Sequence, residues 1–411
     1  MRPHSALGSP RIFALVLTLV HAPLHAEDWP QFRGPTGQGH STGTNLPLTW
    51  SDTTNIAWKT PVPGRGWSSP VIANGRVWLT PATTEGVTSL LLRTRVLRLL
   101  AYDAATGREL VNTPVFTITD AGAAHAKNSY ASPTPILEGN RVYVHFGNLG
   151  TAALDTNGKL LWTATHPYEP LHGPGGSPVL FRDLLIYSAD GTDIQFMMAL
   201  DKKSGKVRWR TARPKPGYMA FSTPLLIDTP TGPQLISTAA YRALAYDPAT
   251  GRELWRVEYA DGFSNVPRPV YGHGLIYLVT GFHKPEVLAV RTGGSIAWRH
   301  SRGAPLTPSP LLVGDELYFI SDNGIASCLD AKTGTLHWQQ RIGGNHSASP
   351  LYAAGRIYFL SEEGDTTVIA PGTQFQKLAT NPINAQTLAS LAPSSGALYL
   401  RTLDHLLKIT K

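Results

Sequence analysis

A stretch of ten residues at 246–255, Y-D-P-A-T-G-R-E-L-W, recurs along this chain and commits it to a repeat architecture. Residues 200–209 (L-D-K-K-S-G-K-V-R-W), 329–338 (L-D-A-K-T-G-T-L-H-W) and, one residue shorter, 154–162 (L-D-T-N-G-K-L-L-W) keep the same order of Asp, a small-residue turn ending in Gly, and Trp. Trp162, Trp209, Trp255, Trp298 and Trp338 lie 47, 46, 43 and 40 positions apart, the spacing of propeller blades or solenoid units. An array that closes on itself is one unit, so 411 residues need no division into two or three ordinary domains.

The residue types give the repeat a physical role. Asp155, Asp201, Asp247 and Asp330 have side-chain oxygens for the N–H groups of the turn, and Gly supplies backbone angles that other residues resist. The Trp is then expected to lie between neighbouring units. Burying about 150–250 Å² of indole at roughly 25 cal/mol/Å² gives an upper bound on the order of 4–6 kcal/mol. Trp255→Ala is expected to cost about 3–5 kcal/mol.

Seven units open with a short lead, in most cases Ser/Pro, into an apolar strand: Ser69-Pro70, Ser132-Pro133-Thr134-Pro135, Ser177-Pro178, Thr223-Pro224, Arg268-Pro269, Ser309-Pro310 and Ser349-Pro350. A second strand follows a Gly or Asp turn, as in Gly139-Asn140-Arg141-Val142-Tyr143-Val144; a third leads to the Asp and a fourth carries the Trp. The last unit, through Leu406-Leu407-Lys408-Ile409, lacks a Trp-bearing end, whereas Asn55-Ile56-Ala57-Trp58-Lys59 is such an end without a unit. Joining them makes eight and hides two open sheet edges. The expected fold is therefore all-β: an eight-bladed β-propeller of four-stranded antiparallel blades, its ring closed by the N-terminal strand. It occupies residues 55–411 as a single domain, after an irregular Pro/Gly-rich segment at 27–54. Three units depart from the pattern. The first has Val111 in the Trp place and an insertion at 81–97, the fifth has Arg291 in the Asp place, and the seventh replaces the turn with Ala370-Pro371-Gly372.

Ahead of this, Arg2, Arg11, an apolar run at 12–20 and a short segment ending His25-Ala26 read as a secretory signal over 1–26. The run is too short to span a bilayer and none like it recurs, so the expected product is exported, periplasmic or secreted, without a transmembrane segment. Cys328 is the single cysteine, which excludes an internal disulfide, a Cys-based zinc site and a haem-attachment motif. It is expected to be a small buried strand residue, and with no Cys near the cleavage point no lipid anchor is expected there. Loss of Arg2 and Arg11 takes the net charge from +8 to +6. The densest cluster, Arg93, Arg95 and Arg98, has the alternation of a sheet face and no aromatic interleaving, so no nucleic-acid partner is expected.

The pattern A-x-D-x-x-T-G-x-x-x-W, carried by residues 245–255, 199–209 and more loosely 327–338, resembles the repeat of the pyrroloquinoline-quinone-like (PQQ-like) propeller family. Trp29-Pro30-Gln31-Phe32-Arg33-Gly34 with Trp58 is similar to the opening of such chains, so the resemblance covers essentially everything after residue 26. It implies the propeller fold and two classes of function. One is that of the propeller subunit of the outer-membrane β-barrel assembly machinery, a cofactor-free scaffold, with envelope or outer-membrane assembly proteins as partners. The other is that of quinoprotein alcohol and glucose dehydrogenases, with PQQ and calcium. Many of those dehydrogenases set a vicinal Cys pair against the quinone, which Cys328 alone cannot form, and their calcium-binding Glu, Asn and Asp motifs have no match here.

Loops into the innermost strands, and turns between second and third strands, gather at one end of a propeller's axis. That placement makes Lys127, Asn128, His172, Tyr218, Asn265, Arg268, Asn345 and His346 the candidate ligand-binding residues of an axial mouth. Arg65, Trp67, His125, Tyr130, His145, His283 and Lys284 belong to the same set of loops. Lys127 and Arg268 have the charge to hold an anionic group, or are solvated rim charges. His172 and His346 have no paired spacing that would make them metal ligands. No G-x-S-x-G, H-E-x-x-H or Walker pattern occurs, and no nucleophile is paired with a base. The sequence thus predicts a non-catalytic, monomeric binding or scaffold protein with no cofactor and no metal, with room for a small ligand. The alternative is a PQQ-dependent dehydrogenase that oxidises alcohols or sugars.

Overall fold

Eight antiparallel sheets follow one another around an axis in the computed structural model, which describes Met1, residues 27–87 and residues 93–411. The expected signal lies outside the described residues apart from Met1. Seven sheets have four strands and the first has five, so the architecture is the eight-bladed propeller. The eighth blade draws on both ends of the chain. Ala392–Ser394, Ala397–Arg401 and His405–Ile409 come from the C-terminal side, and Ile56–Pro61 is the outermost strand, with Lys59 opposite Leu407. This pairing leaves neither terminal blade with an open edge to its neighbour.

The apolar core is divided into layers between neighbouring blades. Val179, Ile186 and Met197 of the third blade meet Leu235, Leu244 and Tyr246 of the fourth, all buried. The outermost strand of every blade carries a β-bulge just before the Trp position. Leu161, Arg208, Leu254, Ala297, His337 and Ala57 are the extra residues before Trp162, Trp209, Trp255, Trp298, Trp338 and Trp58. Leu110 and Leu378 hold the same place before Val111 and Ala379, so those two blades keep the bulge and lack the indole. A bulge re-aims the side chain that follows it. Here it turns the indole onto the turn of the next blade. The Trp162 indole lies over Gly205 and donates to Lys202 O at 3.2 Å; Trp209 lies over Gly251 and donates to Pro248 O at 3.2 Å.

Each receiving turn is tied by its Asp. Asp201 Oδ1 accepts the N–H of Lys203 and Ser204 at 3.1 and 2.9 Å, and Asp330 Oδ1 those of Lys332 and Thr333 at 2.9 and 2.8 Å. The first blade has Val111 in the indole's place against Gly158, as the sequence predicts. Its insertion forms Ala82–Val87, paired with the upper half of Arg93–Asp103, while Glu109–Thr119 covers the other side. Arg95 and Arg98 are spent inside this arm, on Thr84 and on Asn112 with Glu85.

The irregular segment after residue 27 is structural. It runs under the ring and bonds the innermost strands of six blades. Trp29 pairs with Ile72, Pro30 O accepts from Leu137 N–H, and Gln38 Oε1 accepts from Tyr271 N–H. His40 faces Leu312 O, Gly39 and Ser41 bracket Tyr352, and Glu27 O accepts from Ser394 Oγ. Further on, buried Trp50 stacks on Tyr358 at 6.3 Å between ring centroids and donates its backbone N–H to Asn381. The seventh blade, whose own strand has Ala379 at the Trp position, thus receives an indole from another part of the chain.

Exposure ranks the repeat tryptophans. Trp162 is 9% exposed, whereas Trp255 is only half-buried and donates within its own blade, to Gln234 Oε1 at 2.9 Å. The full interblade cost therefore belongs to Trp162. Trp162→Ala is expected to lower the unfolding free energy by about 3–5 kcal/mol, and Trp255→Ala by less. Urea denaturation of both variants checks this, and a larger loss at Trp255 would contradict the clasp.

Candidate functional site: the axial funnel

One residue per blade leads into each innermost strand, and these eight form a ring around the axis. They are Ser69, Thr134, Ser177, Thr223, Arg268, Ser309, Ser349 and Ser390. Pro follows seven of them and biases each lead towards extended backbone. Their hydrogen bonds run head to tail. The N–H of Ser69 donates to Thr134 Oγ1 (3.0 Å), Thr134 to Ser177 (2.9 Å) and Ser177 to Thr223 (2.9 Å). After a gap the belt resumes from Arg268 to Ser309 (3.0 Å), Ser309 to Ser349 (3.1 Å), Ser349 to Ser390 (2.9 Å) and Ser390 back to Ser69 (3.1 Å). The gap is at Arg268, which has no hydroxyl. Its guanidinium donates instead to Pro224 O (3.1 Å) and to Phe32 O (2.7 Å) in the segment below.

Above this belt lies a cavity of about 550 Å³, with Phe32 and the belt hydroxyls among its lining. Its wall has two characters. From the third to the fifth blade it is apolar. Met219, Phe221, Phe263, Val266 and Phe282 line it, Phe263 and Phe282 meet edge to face at 5.5 Å, and Phe282 remains 50% exposed. Around the first and second blades it carries His125, Lys127, Asn128 and His172. His125 and His172 pack at 5.3 Å, and burial with the neighbouring His125 holds the His172 imidazole below its ordinary value. Lys127 reaches Glu362 of the seventh blade at 2.9 Å, an ion pair at the mouth. Because the Lys127 side chain is 54% exposed, the pair adds little stability.

The sequence candidates divide accordingly. Lys127, Asn128 and His172 line the cavity, and Asn128 Nδ2 holds His172 O at 2.7 Å. Tyr218 packs on Phe263 at 5.4 Å, beside the apolar wall. Asn345 lines a smaller, acidic cavity with Glu362 and Glu363 and donates to Glu363. Asn265, Arg268 and His346 are buried in the framework. Asn265 Nδ2 donates to Thr280 O (2.6 Å), and both His346 ring nitrogens face main-chain oxygens at 3.0 Å. Sequence reasoning missed the belt and the aromatic wall. The Ser/Thr-Pro lead carried the belt's signal for every blade but the fifth and eighth, whereas nothing periodic marks Phe263 or Phe282.

Among the described residues no belt hydroxyl bonds a His or a carboxylate, so none is set up as an activated nucleophile. Among the described residues the lining carries one carboxylate, Asp322, whose Oδ2 accepts from Leu306 N–H at 2.6 Å.

His145 is buried between the second and third blades, its ring tilted against Tyr187 at 4.3 Å and bonded to Thr151 Oγ1 at 2.8 Å. Complete burial pushes its imidazole down to about 3, so the native state keeps it neutral. The unfolded chain binds a proton at His145 near pH 6.5 and the native state does not until about pH 3. Stability is expected to fall as pH drops through that window. His145→Gln should show a shallower loss between pH 6.5 and 4 in denaturant titrations, and identical pH profiles would overturn this assignment.

The family model described as outer membrane protein assembly factor BamB matches residues 80–220 and 283–381, more than half of the chain. No curated protein matches the sequence. Among solved structures, the chain is similar to BamB from Moraxella catarrhalis, with 14% identity, a TM-score of 0.54, and 86% of this chain and 98% of that one covered. It is also similar to a europium-containing methanol dehydrogenase, with 13% identity, a TM-score of 0.56 and coverage of 84% and 89%. A computationally designed protein, Ika8, aligns at 10% identity with a TM-score of 0.58, covering 89% and 99%. At these identities the structural likenesses establish the fold alone, and the family rests on the matched sequence. The chain belongs to the PQQ-like propeller family described as outer membrane protein assembly factor BamB.

Proposed function

We propose that this protein is an exported, non-catalytic propeller that binds other proteins at its axial mouth, as a scaffold in outer-membrane protein assembly. The observation that carries this reading is the apolar sector of Met219, Phe221, Phe263, Val266 and Phe282, with Phe282 half exposed at the rim. Aromatic side chains left open to water in a concave wall favour a partner that buries them. The family match supports assembly proteins of the outer membrane as that partner.

The competing reading is a PQQ-dependent dehydrogenase, and the likeness to a methanol dehydrogenase fits it at the level of fold. The residues present fit a quinone and its metal poorly. Asp322 is the one carboxylate among the described residues of the cavity lining and already accepts backbone N–H groups. Among the described residues no three His, Cys, Asp or Glu side chains stand together as a metal site. A calcium ion takes six to eight oxygen ligands and normally several carboxylates.

The test is complementation. In a strain lacking the gene, the native chain is expected to restore outer-membrane β-barrel protein levels, measured by quantitative proteomics, and the double variant Phe263→Asp/Phe282→Asp to restore them less. Full restoration by the double variant would remove the mouth from the function. Dye-linked alcohol oxidation by the purified chain with PQQ and calcium would replace the scaffold reading with the enzyme.

A further inference from the structure

We infer that the floor of the axial funnel is a binding site for a carboxylate carried on an apolar body, with the belt hydroxyls as its hydrogen-bond donors. The inference rests on the cavity alone and stands whether or not the protein is an assembly scaffold.

The belt fixes where its protons can go. Each hydroxyl oxygen already accepts a backbone N–H from the preceding blade, so its own O–H must find an acceptor elsewhere. Ser349 donates to Ser309 at 3.0 Å. Among the described residues the O–H groups of Ser69, Thr134, Ser177, Thr223, Ser309 and Ser390 have no protein acceptor, although each residue is at least nine-tenths buried and lines the cavity. Donors that face a cavity are left to water or to a ligand that brings acceptors. Six of them converging on one space define a site for an acceptor-rich group.

Charge points the same way. Where this protein buries a guanidinium elsewhere it supplies a carboxylate, as in Arg213 with Asp190 at 2.6 Å. Around the funnel it does not. Arg268 in the belt, Arg33 beside the cavity-lining Phe32, and Arg401, which donates to Ser68 Oγ at 2.6 Å, are all buried and bond only neutral oxygens. Among the described residues Nε and Nη1 of Arg33, and Nε and Nη2 of Arg401, have no partner. Burial pushes all three groups down to about 9, which leaves them cationic at neutral pH. On the wall above, Lys127 is paired with Glu362, and Asp322, whose Oδ2 accepts backbone N–H groups, sets one negative charge against the three guanidinium groups. The floor is thus a ring of neutral donors in a positive field, a setting for an anion. The aromatic wall above suits an apolar body.

A free peptide C-terminus and a small aryl or alkyl acid share this chemistry. The experiment is calorimetric titration of the full chain with 4-phenylbutyrate and its amide, and with a tripeptide ending in Phe as free acid and as C-terminal amide. At least one acid is expected to bind about tenfold or more tighter than its amide. Preference with the small acid alone assigns a small-molecule ligand, preference with the peptide alone assigns a chain terminus, and both together assign an open site. Ser177→Ala is expected to lower acid affinity about fivefold and amide affinity by less, with circular dichroism reporting whether the variant is folded. Acids and amides that bind alike or not at all in the native chain would overturn the inference without any variant. An acid preference that a folded Ser177→Ala retains in full would also overturn it, by moving the anion off the floor.

Discussion

A tryptophan laid across a glycine of the neighbouring turn joins separate sheets into a ring. The glycine is required twice over. Gly107, Gly205, Gly251 and Gly334 have φ between +71° and +75°, a region that L side chains rarely adopt, and a Cβ on any of them would fall within 3 Å of an indole atom. The bulge before the Trp aims the ring, the Asp holds the turn that receives it, and a change in one partner is met by a change in the other. Val111 meets Gly158 where the indole is missing. Where the seventh turn becomes Pro371-Gly372, Trp338 still donates to Gly372 O at 3.0 Å, and Trp50 supplies the indole that this blade's own strand lacks.

The belt performs on the inside what the clasp performs at the rim. A backbone N–H beside a proline has no sheet partner where eight innermost strands converge, and burying it unpaired would be costly. The preceding blade's N–H therefore bonds the hydroxyl of the next, and the pattern closes because the eighth blade returns to the first at Ser390–Ser69. Two bonding systems at different radii fix the blades against each other, and the segment from Glu27 to Gly43 ties their inner edges from below.

Much of the fold was legible because the features that build it are local and repeated. Asp, Gly and Trp stand within ten residues of one another, so a single sequence window contains the turn and the indole, and periodicity does the rest. The strand that closes the ring was legible for the same reason: Trp58 carries the mark of a unit whose other strands lie at the far end of the chain. The site was legible only in part, because a propeller's mouth is assembled from loops of unrelated sequence. Lys127, Asn128 and His172 were found from loop position. Arg268, placed by the same rule, holds Phe32 O in the framework, and Asn265 and His346 bond main-chain oxygens. Loop position fixes which end of the axis a residue occupies. Whether its side chain faces the cavity or the framework depends on packing that no window of sequence contains.

The first, fifth and seventh blades depart from the repeat, and the fifth is the one whose departures reach the belt and the mouth, where the funnel's polarity changes. This unit has Arg291 in the Asp place, and Trp255, which faces its turn, bonds Gln234 of its own blade instead. Its lead residue, Arg268, breaks the belt and bonds the segment below. Its mouth loops carry Phe263 and Phe282. In a ring where eight equivalent positions satisfy one another, a blade that abandons three of the shared bonds loses stability at each, and substitutions that only loosen the ring would scatter over all eight blades. The first and seventh blades replace what they lose, with Val111 against Gly158 and with Trp50, whereas at the fifth the losses stand beside an aromatic wall left open to water, the asymmetry expected where a symmetric scaffold is adapted to hold something other than itself.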